Sequence, residues 1–197
     1  MPGISNILLA RSGAAAVTYA TWDSTKLGSG TTLSNSDRNA VSLNNTSDLA
    51  TGGKSTGKWY MEMTRTGTGS CLIGVANTSS SRANFPGENA NSWAVYSVNG
   101  NKFTGGSGSA YGTSFASGDI VMVALDMDNG KVWMGKTGTW YNSGDPEAGT
   151  NAAFTGLTGT LMIIGGGDAA TSRTLSGNWG QAAFSHTIPP GFSAWTV

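Results

Sequence analysis

The pair Asn129-Gly130, set between two apolar runs, is the feature that most limits how this chain can fold. Val121-Met122-Val123-Ala124-Leu125 precedes it and Lys131-Val132-Trp133-Met134 follows. Both runs are rich in residues that suit strands, and Asn-Gly readily takes φ > 0 at both centres of a type I′ turn. The stretch therefore predicts a β-hairpin turning at Asn129-Gly130. The competing reading of Asp126-Met127-Asp128-Asn129-Gly130 is a calcium loop, which needs oxygen ligands at positions 1, 3, 5 and 12. Counting from Asp126 places Gly130 at position 5 and Thr137 at position 12, so the calcium reading fails.

The rest of the chain supports a sheet protein. Thirty glycines, abundant Ser, Thr and Asn, and only 11% charged residues describe turns and strands rather than helices. A length of 197 residues fits one all-β domain. Strand patterns bounded by Gly, Asn, Ser and Asp fall near Asn39–Leu43, Gly57–Thr64, Cys71–Ala76, Trp93–Val98, Val121–Asp128, Lys131–Gly135, Leu161–Gly165 and Gly177–Gln181. No helical pattern interrupts them, which favours an antiparallel sandwich over a parallel α/β sheet.

Charge and cysteine usage exclude several functions. Eleven basic residues balance eleven acidic ones without a Lys/Arg cluster, so nucleic acid and anionic membranes are poor partners. Cys71, the single cysteine, lies in an apolar strand-like run and reads as a buried, inert thiol. The N-terminal apolar patch, Ile7 to Ala10, is too short for a secretory core or a membrane span. With Gly13-Ala14-Ala15-Ala16 as a small-residue joint, residues 1–19 read as a tether and residues 20–197 as the sandwich.

Two phosphate-loop patterns do not hold. Gly53-Lys54-Ser55-Thr56 resembles the end of a Walker loop, but Asp48 stands where its first glycine belongs and a strand follows. Gly165-Gly166-Gly167-Asp168-Ala169-Ala170 fits G-x-G-x-x-A, yet too little chain remains for a second strand and crossover. It reads as a glycine-rich loop between antiparallel strands. Catalytic machinery is equally sparse. His186 is the only histidine, and the three glutamates and eight aspartates form no ordered pair.

The aromatic residues are more informative. Trp59, Trp133 and Trp179 fall inside strand patterns and read as core. Tyr111, in a glycine-rich loop, and Trp140-Tyr141 are candidates for an exposed binding surface, with a role as lids over the core as the plain alternative.

Five ordered segments resemble the SPRY domain family. Gly57-Lys58-Trp59-Tyr60-Met61-Glu62-Met63 is similar to its G-x-x-Y-x-E-V strand, and Ile73-Gly74-Val75-Ala76 to the strand that follows. Tyr96 to Lys102 matches Y-x-x-x-G-x-K, and Gly118–Asp126 with Gly130–Met134 resembles the GDVIGxxLD hairpin. Asn178-Trp179-Gly180-Gln181-Ala182-Ala183-Phe184 and Pro189-Pro190-Gly191-Phe192 are similar to the closing N-F-G-Q-x-P-F and P-x-G-F. The resemblance implies a bent antiparallel β-sandwich of the concanavalin-like jelly-roll kind, without catalysis or cofactor, whose loops bind a partner.

Thr137 to Gly159 further resembles a segment of bacteriophage SPRY proteins, with Ala152 or Ala153 where proline is common. The resulting expectation is a virion structural protein, made in a host cytoplasm and serving as capsid decoration, fibre or tail-associated module. Ile4, Ile7, Leu8 and Leu9 would anchor it to capsid or tail subunits or to further copies of itself. Tyr111, Trp140 and Tyr141 would meet a host-surface glycan or protein. The alternatives are a carbohydrate-binding receptor-recognition module and an intracellular peptide-binding adapter; no membrane insertion is expected.

Overall fold

Alternation along one strand sets the architecture of the computed structural model, which describes residues 16–197. On β9 (Ile120–Asp126), Val121, Val123 and Leu125 belong to the central apolar core, whereas Met122 and Ala124 join a second cluster. Residues of opposite parity face opposite sides of a sheet, so this sheet is covered on both faces.

Its strands run in the order β1 (Thr32–Ser34), β2 (Asn39–Ser42), β13 (Arg173–Asn178), β4 (Lys58–Gly67), β9, β10 (Lys131–Lys136), β11 (Thr139–Trp140). β14 (Ser193–Ala194) adds to β4 in parallel; the other pairings are antiparallel. The second sheet has the order β3 (Thr46–Leu49), β12 (Met162–Gly167), β5 (Leu72–Ala76), β6 (Ser92–Tyr96), β7 (Lys102–Thr104), β8 (Ser107–Ser109). The result is the expected all-β, bent antiparallel sandwich.

The inner faces meet through Met61, Ile73, Val75, Val123, Leu125 and Ile163, among others. Each such side chain contributes about 1.5–3 kcal/mol by leaving water. Trp22 and Trp179 close one end of this core edge to face, with ring centroids 5.8 Å apart. Cys71 is fully buried, and burial pushes its thiol up to about 12, so the thiol is inert.

Several local expectations change. The hairpin β9–β10 exists, but Asp126 pairs with Lys131, leaving a four-residue loop in which only Gly130 has positive φ (61°). The Asp126 carboxylate produces this wider turn by accepting from the Asn129 N–H (3.0 Å) and the Asn129 side-chain amide (2.8 Å). Leu157 crosses over Gly130, where an added Cβ would lie 2.5 Å from the Leu157 carbonyl oxygen. The two-residue turn with positive φ at both centres instead joins β10 to β11, at Thr137 (46°) and Gly138 (85°).

Gly165-Gly166-Gly167 is not a loop but the end of β12, fully buried. A Cβ on Gly166 would meet the Thr46 carbonyl oxygen at 2.0 Å, and one on Gly167 the Arg173 guanidinium at 1.9 Å. The strand expected at Gly177–Gln181 lies earlier, as β13, because its inward Arg173 interrupts the apolar pattern. Ile4, Ile7, Leu8 and Leu9 lie outside the described residues. Within the expected tether, Thr18 accepts from the Val197 N–H (2.9 Å) and Tyr19 bridges to Thr196.

Candidate functional site

The outward residues of the larger sheet build the site. Tyr60 and Glu62 on β4, Met122 and Ala124 on β9, and Trp133 on β10 form a second layer beneath two chain segments. Gly135, opposite both Met122 and Trp140, carries no side chain; a Cβ there would lie 2.7 Å from the Met122 methyl and 3.0 Å from the Trp140 Cα. This gap lets edge strand β11 bring the Trp140 ring over the layer, 6.3 Å from the Tyr60 ring and edge to face.

The first covering segment follows β11. A single 3-10 turn, Tyr141–Ser143, leads into a loop closed by reciprocal hydrogen bonds between Asp145 and Thr150 (3.1 and 3.0 Å). The Trp133 indole N–H donates to the Thr150 carbonyl (2.7 Å), and Lys131 donates to the Gly149 carbonyl (2.8 Å). These contacts fix the loop to the sheet and leave Asp145 and Glu147 exposed.

The second segment, residues 184–190, is fixed by one buried carboxylate. Glu62, 3% exposed, accepts from the Ser185 N–H (2.9 Å), the His186 N–H (2.8 Å) and the Tyr60 hydroxyl (2.9 Å). Burial, then the adjoining Glu62 charge, drives the Tyr60 hydroxyl far above its ordinary value, so it remains a donor. Phe184 packs edge to face on Tyr60 at 4.9 Å, and Phe192 on Trp133 at 6.4 Å.

Between these segments runs an open groove of about 810 Å³. Met122 contributes to its base; Trp140, Asp145 and Glu147 line one side, and His186, Ile188 and Pro190 the other. Near one end, Gly138 approaches the imidazole, where an added Cβ would lie 3.3 Å from His186 Nδ1. Its size is that of a ligand site.

A second hollow of about 510 Å³ lies beside the first, and Thr139 and Trp140 line both. Here the structure brings together the three aromatic candidates from the sequence, Tyr111, Trp140 and Tyr141. Their exposure differs from the expected binding surface. Tyr111 and Tyr141 are 7% and 5% exposed, stack edge to face at 5.9 Å and belong to the central core. Burial pushes both hydroxyls up to about 12. The Gly112 backbone lies against the Tyr141 ring and covers it. Trp140, half-buried, is the candidate that presents surface to both hollows.

The Glu62-anchored segment was not legible as a site in the sequence. Its hydrogen bonds span 123 and 124 residues, and no local pattern announces such a pairing. Among the described residues, no group of three or more His, Cys, Asp or Glu could hold a metal ion. No described helix is long and apolar enough to cross a membrane.

A family model described as the SPRY domain matches residues 58–164, more than half of the chain. The crystal structure of the SPRY domain of human HERC1 has a similar fold, with a TM-score of 0.67 and 16% sequence identity. That match covers 82% of this chain and 99% of the other. No curated protein matches the chain. These findings correct the expectation of a bacteriophage virion protein: the family model describes the domain alone, the solved structure belongs to a human protein, and neither supports a capsid or tail role.

Proposed function

The chain belongs to the SPRY domain family, and from that premise we propose that it is a non-catalytic protein-interaction module whose Trp140 groove receives an extended peptide from a partner protein. This is the adapter reading among the alternatives raised by the sequence. The observation that carries it is the groove beside edge strand β11, with Trp140 on one side and the Glu62-anchored segment on the other. An edge strand leaves backbone N–H and C=O groups available to another chain, and a half-buried tryptophan supplies a large contact area.

The rival carbohydrate reading requires open ring faces on which sugar stacks. Tyr111 and Tyr141 are enclosed, and Trp140 alone offers less than the platform that reading requires. We keep residues 1–19 as a proposed tether, whose last residues, Thr18 and Tyr19, are held against Val197 and Thr196.

Selection of 12-residue peptides from a randomised library against the full chain tests the proposal. The expected binders lose at least tenfold in affinity to the Trp140→Ala variant, whose circular dichroism and thermal midpoint stay close to those of the parent. Binders that do not distinguish the two proteins would place peptide recognition elsewhere.

A further inference from the structure

Resting on the peptide-groove reading above, we propose that the groove selects a peptide with a cationic side chain, arginine or lysine, beside an apolar residue. Asp145 and Glu147 line the groove, and its lining contains no lysine or arginine. Over the whole chain eleven basic residues balance eleven acidic ones, so this negative lining is a local property.

Both carboxylates are exposed and have capacity to spare. Asp145 uses Oδ1 to accept from the Ala148 N–H (3.0 Å). Among the described residues, neither Asp145 nor Glu147 takes part in a salt bridge. The nearby lysines are committed elsewhere. Lys131 donates to the Gly149 carbonyl (2.8 Å), and Lys58 pairs with Asp126 (3.1 Å). Lys136 lines the hollow beyond Trp140, where it donates to the Ser114 carbonyl (2.8 Å) and lies 3.7 Å from Asp119.

On an open surface, two such carboxylates would simply be solvated. Here they share a groove with an indole. A guanidinium or ammonium group placed between them gains charge-assisted hydrogen bonds from the carboxylates and attraction to the Trp140 ring face. Its hydrocarbon stem can lie over Met122, while Ile188 and Pro190 opposite accept an adjacent apolar side chain. An anionic peptide meets two negative charges and no lysine or arginine in the lining, so the groove discriminates by repulsion as well as attraction.

The peptides selected against the full chain supply the test. Those dependent on Trp140 should be enriched in arginine or lysine at one position, and their binding should weaken with rising salt. Replacing that arginine by citrulline in the peptide, or combining Asp145→Asn with Glu147→Gln in the protein, should lower affinity about 3- to 10-fold, the scale of partly exposed charge pairs. The citrulline peptide leaves the protein unaltered, so its result does not depend on how the variant folds. Trp140-dependent peptides without basic enrichment, or with basic residues indifferent to citrulline and to the double substitution, would overturn the cation inference and leave the groove reading intact. Failure to obtain any Trp140-dependent peptide would overturn the groove reading and this inference with it.

Discussion

Two buried carboxylates mark two regions of the sandwich that spend charge in different ways. Glu62, on the outer face of the larger sheet, accepts three hydrogen bonds and ties residues 185 and 186 to β4. Asp48, on β3 and fully buried, accepts one from the Gly28 N–H (2.8 Å), while its Oδ2 has no partner. Arg173, also fully buried, is engaged by the Asn44, Ala169 and Thr171 carbonyls and by Ser42 rather than by Asp48. Burial therefore pushes the Asp48 carboxyl up to about 6, offset only in part by the Gly28 hydrogen bond, the neighbouring Thr31 hydroxyl and the positive charges of Arg173 and Arg82. A carboxylate surrounded by donors builds a groove wall; one left half-satisfied is a cost the fold carries.

Removing Glu62 should break the first region most severely. Glu62→Ala leaves two backbone N–H groups and the Tyr60 hydroxyl without their acceptor and should cost about 2–4 kcal/mol in denaturant unfolding. Peptide binding should fall with it, because the 184–190 side of the groove loses its anchor. An unchanged midpoint would show that Phe184 and Phe192 hold the segment by packing alone.

Asp48→Asn examines the second region and should act with the opposite sign. The Asp48 carboxyl has a folded value of about 6 against an ordinary 3.8, so the folded state binds its proton more tightly than the unfolded state. That contribution is complete below about 3.8 and is lost as pH rises through about 6. The variant escapes this loss, so its stability relative to the parent should improve by on the order of 2 kcal/mol between pH 4 and pH 7. Denaturant unfolding at pH 4, 5, 6 and 7 measures the difference, and a constant offset would show that Asp48 titrates as an ordinary carboxylate.

Tyr60→Phe gives a finer division of the Glu62 region. It deletes one of three donors and should cost about 1 kcal/mol while the two backbone bonds to Glu62 persist. A cost equal to that of Glu62→Ala would instead make the hydroxyl essential to the anchor. The smallest effect on stability is expected for Trp140→Ala, below about 1 kcal/mol for a half-buried edge residue. A larger thermal shift would place Trp140 among the residues that hold the sandwich together.

Legibility in the sequence followed the kind of interaction involved. β4, β5, β9, β10 and β12 show apolar patterning strong enough to be read within a few residues. β3, with sequence Thr-Ser-Asp-Leu, shows none, although all four residues are buried. The single proton of its Ser47 hydroxyl is shared between the Ser81 (2.7 Å) and Asn84 (2.9 Å) carbonyls, contacts made by chain more than thirty residues away. The same limit applies at the site. Trp140 was legible as an aromatic beside a turn, but whether it or its neighbours Tyr111 and Tyr141 reached the surface depended on how the segment after β8, residues 110–118, packs.

The sequence by itself determined the all-β class, the β9–β10 hairpin and the family, because these rest on short-range alternation, turn residues and ordered motifs. The tertiary structure decided where the hairpin turns, which aromatic faces a groove, and that Glu62 serves Ser185 and His186 while Asp48 remains half-satisfied. Those outcomes depend on which donors and walls the folded chain brings within about 3 Å of one another, a property that no local stretch of residues encodes.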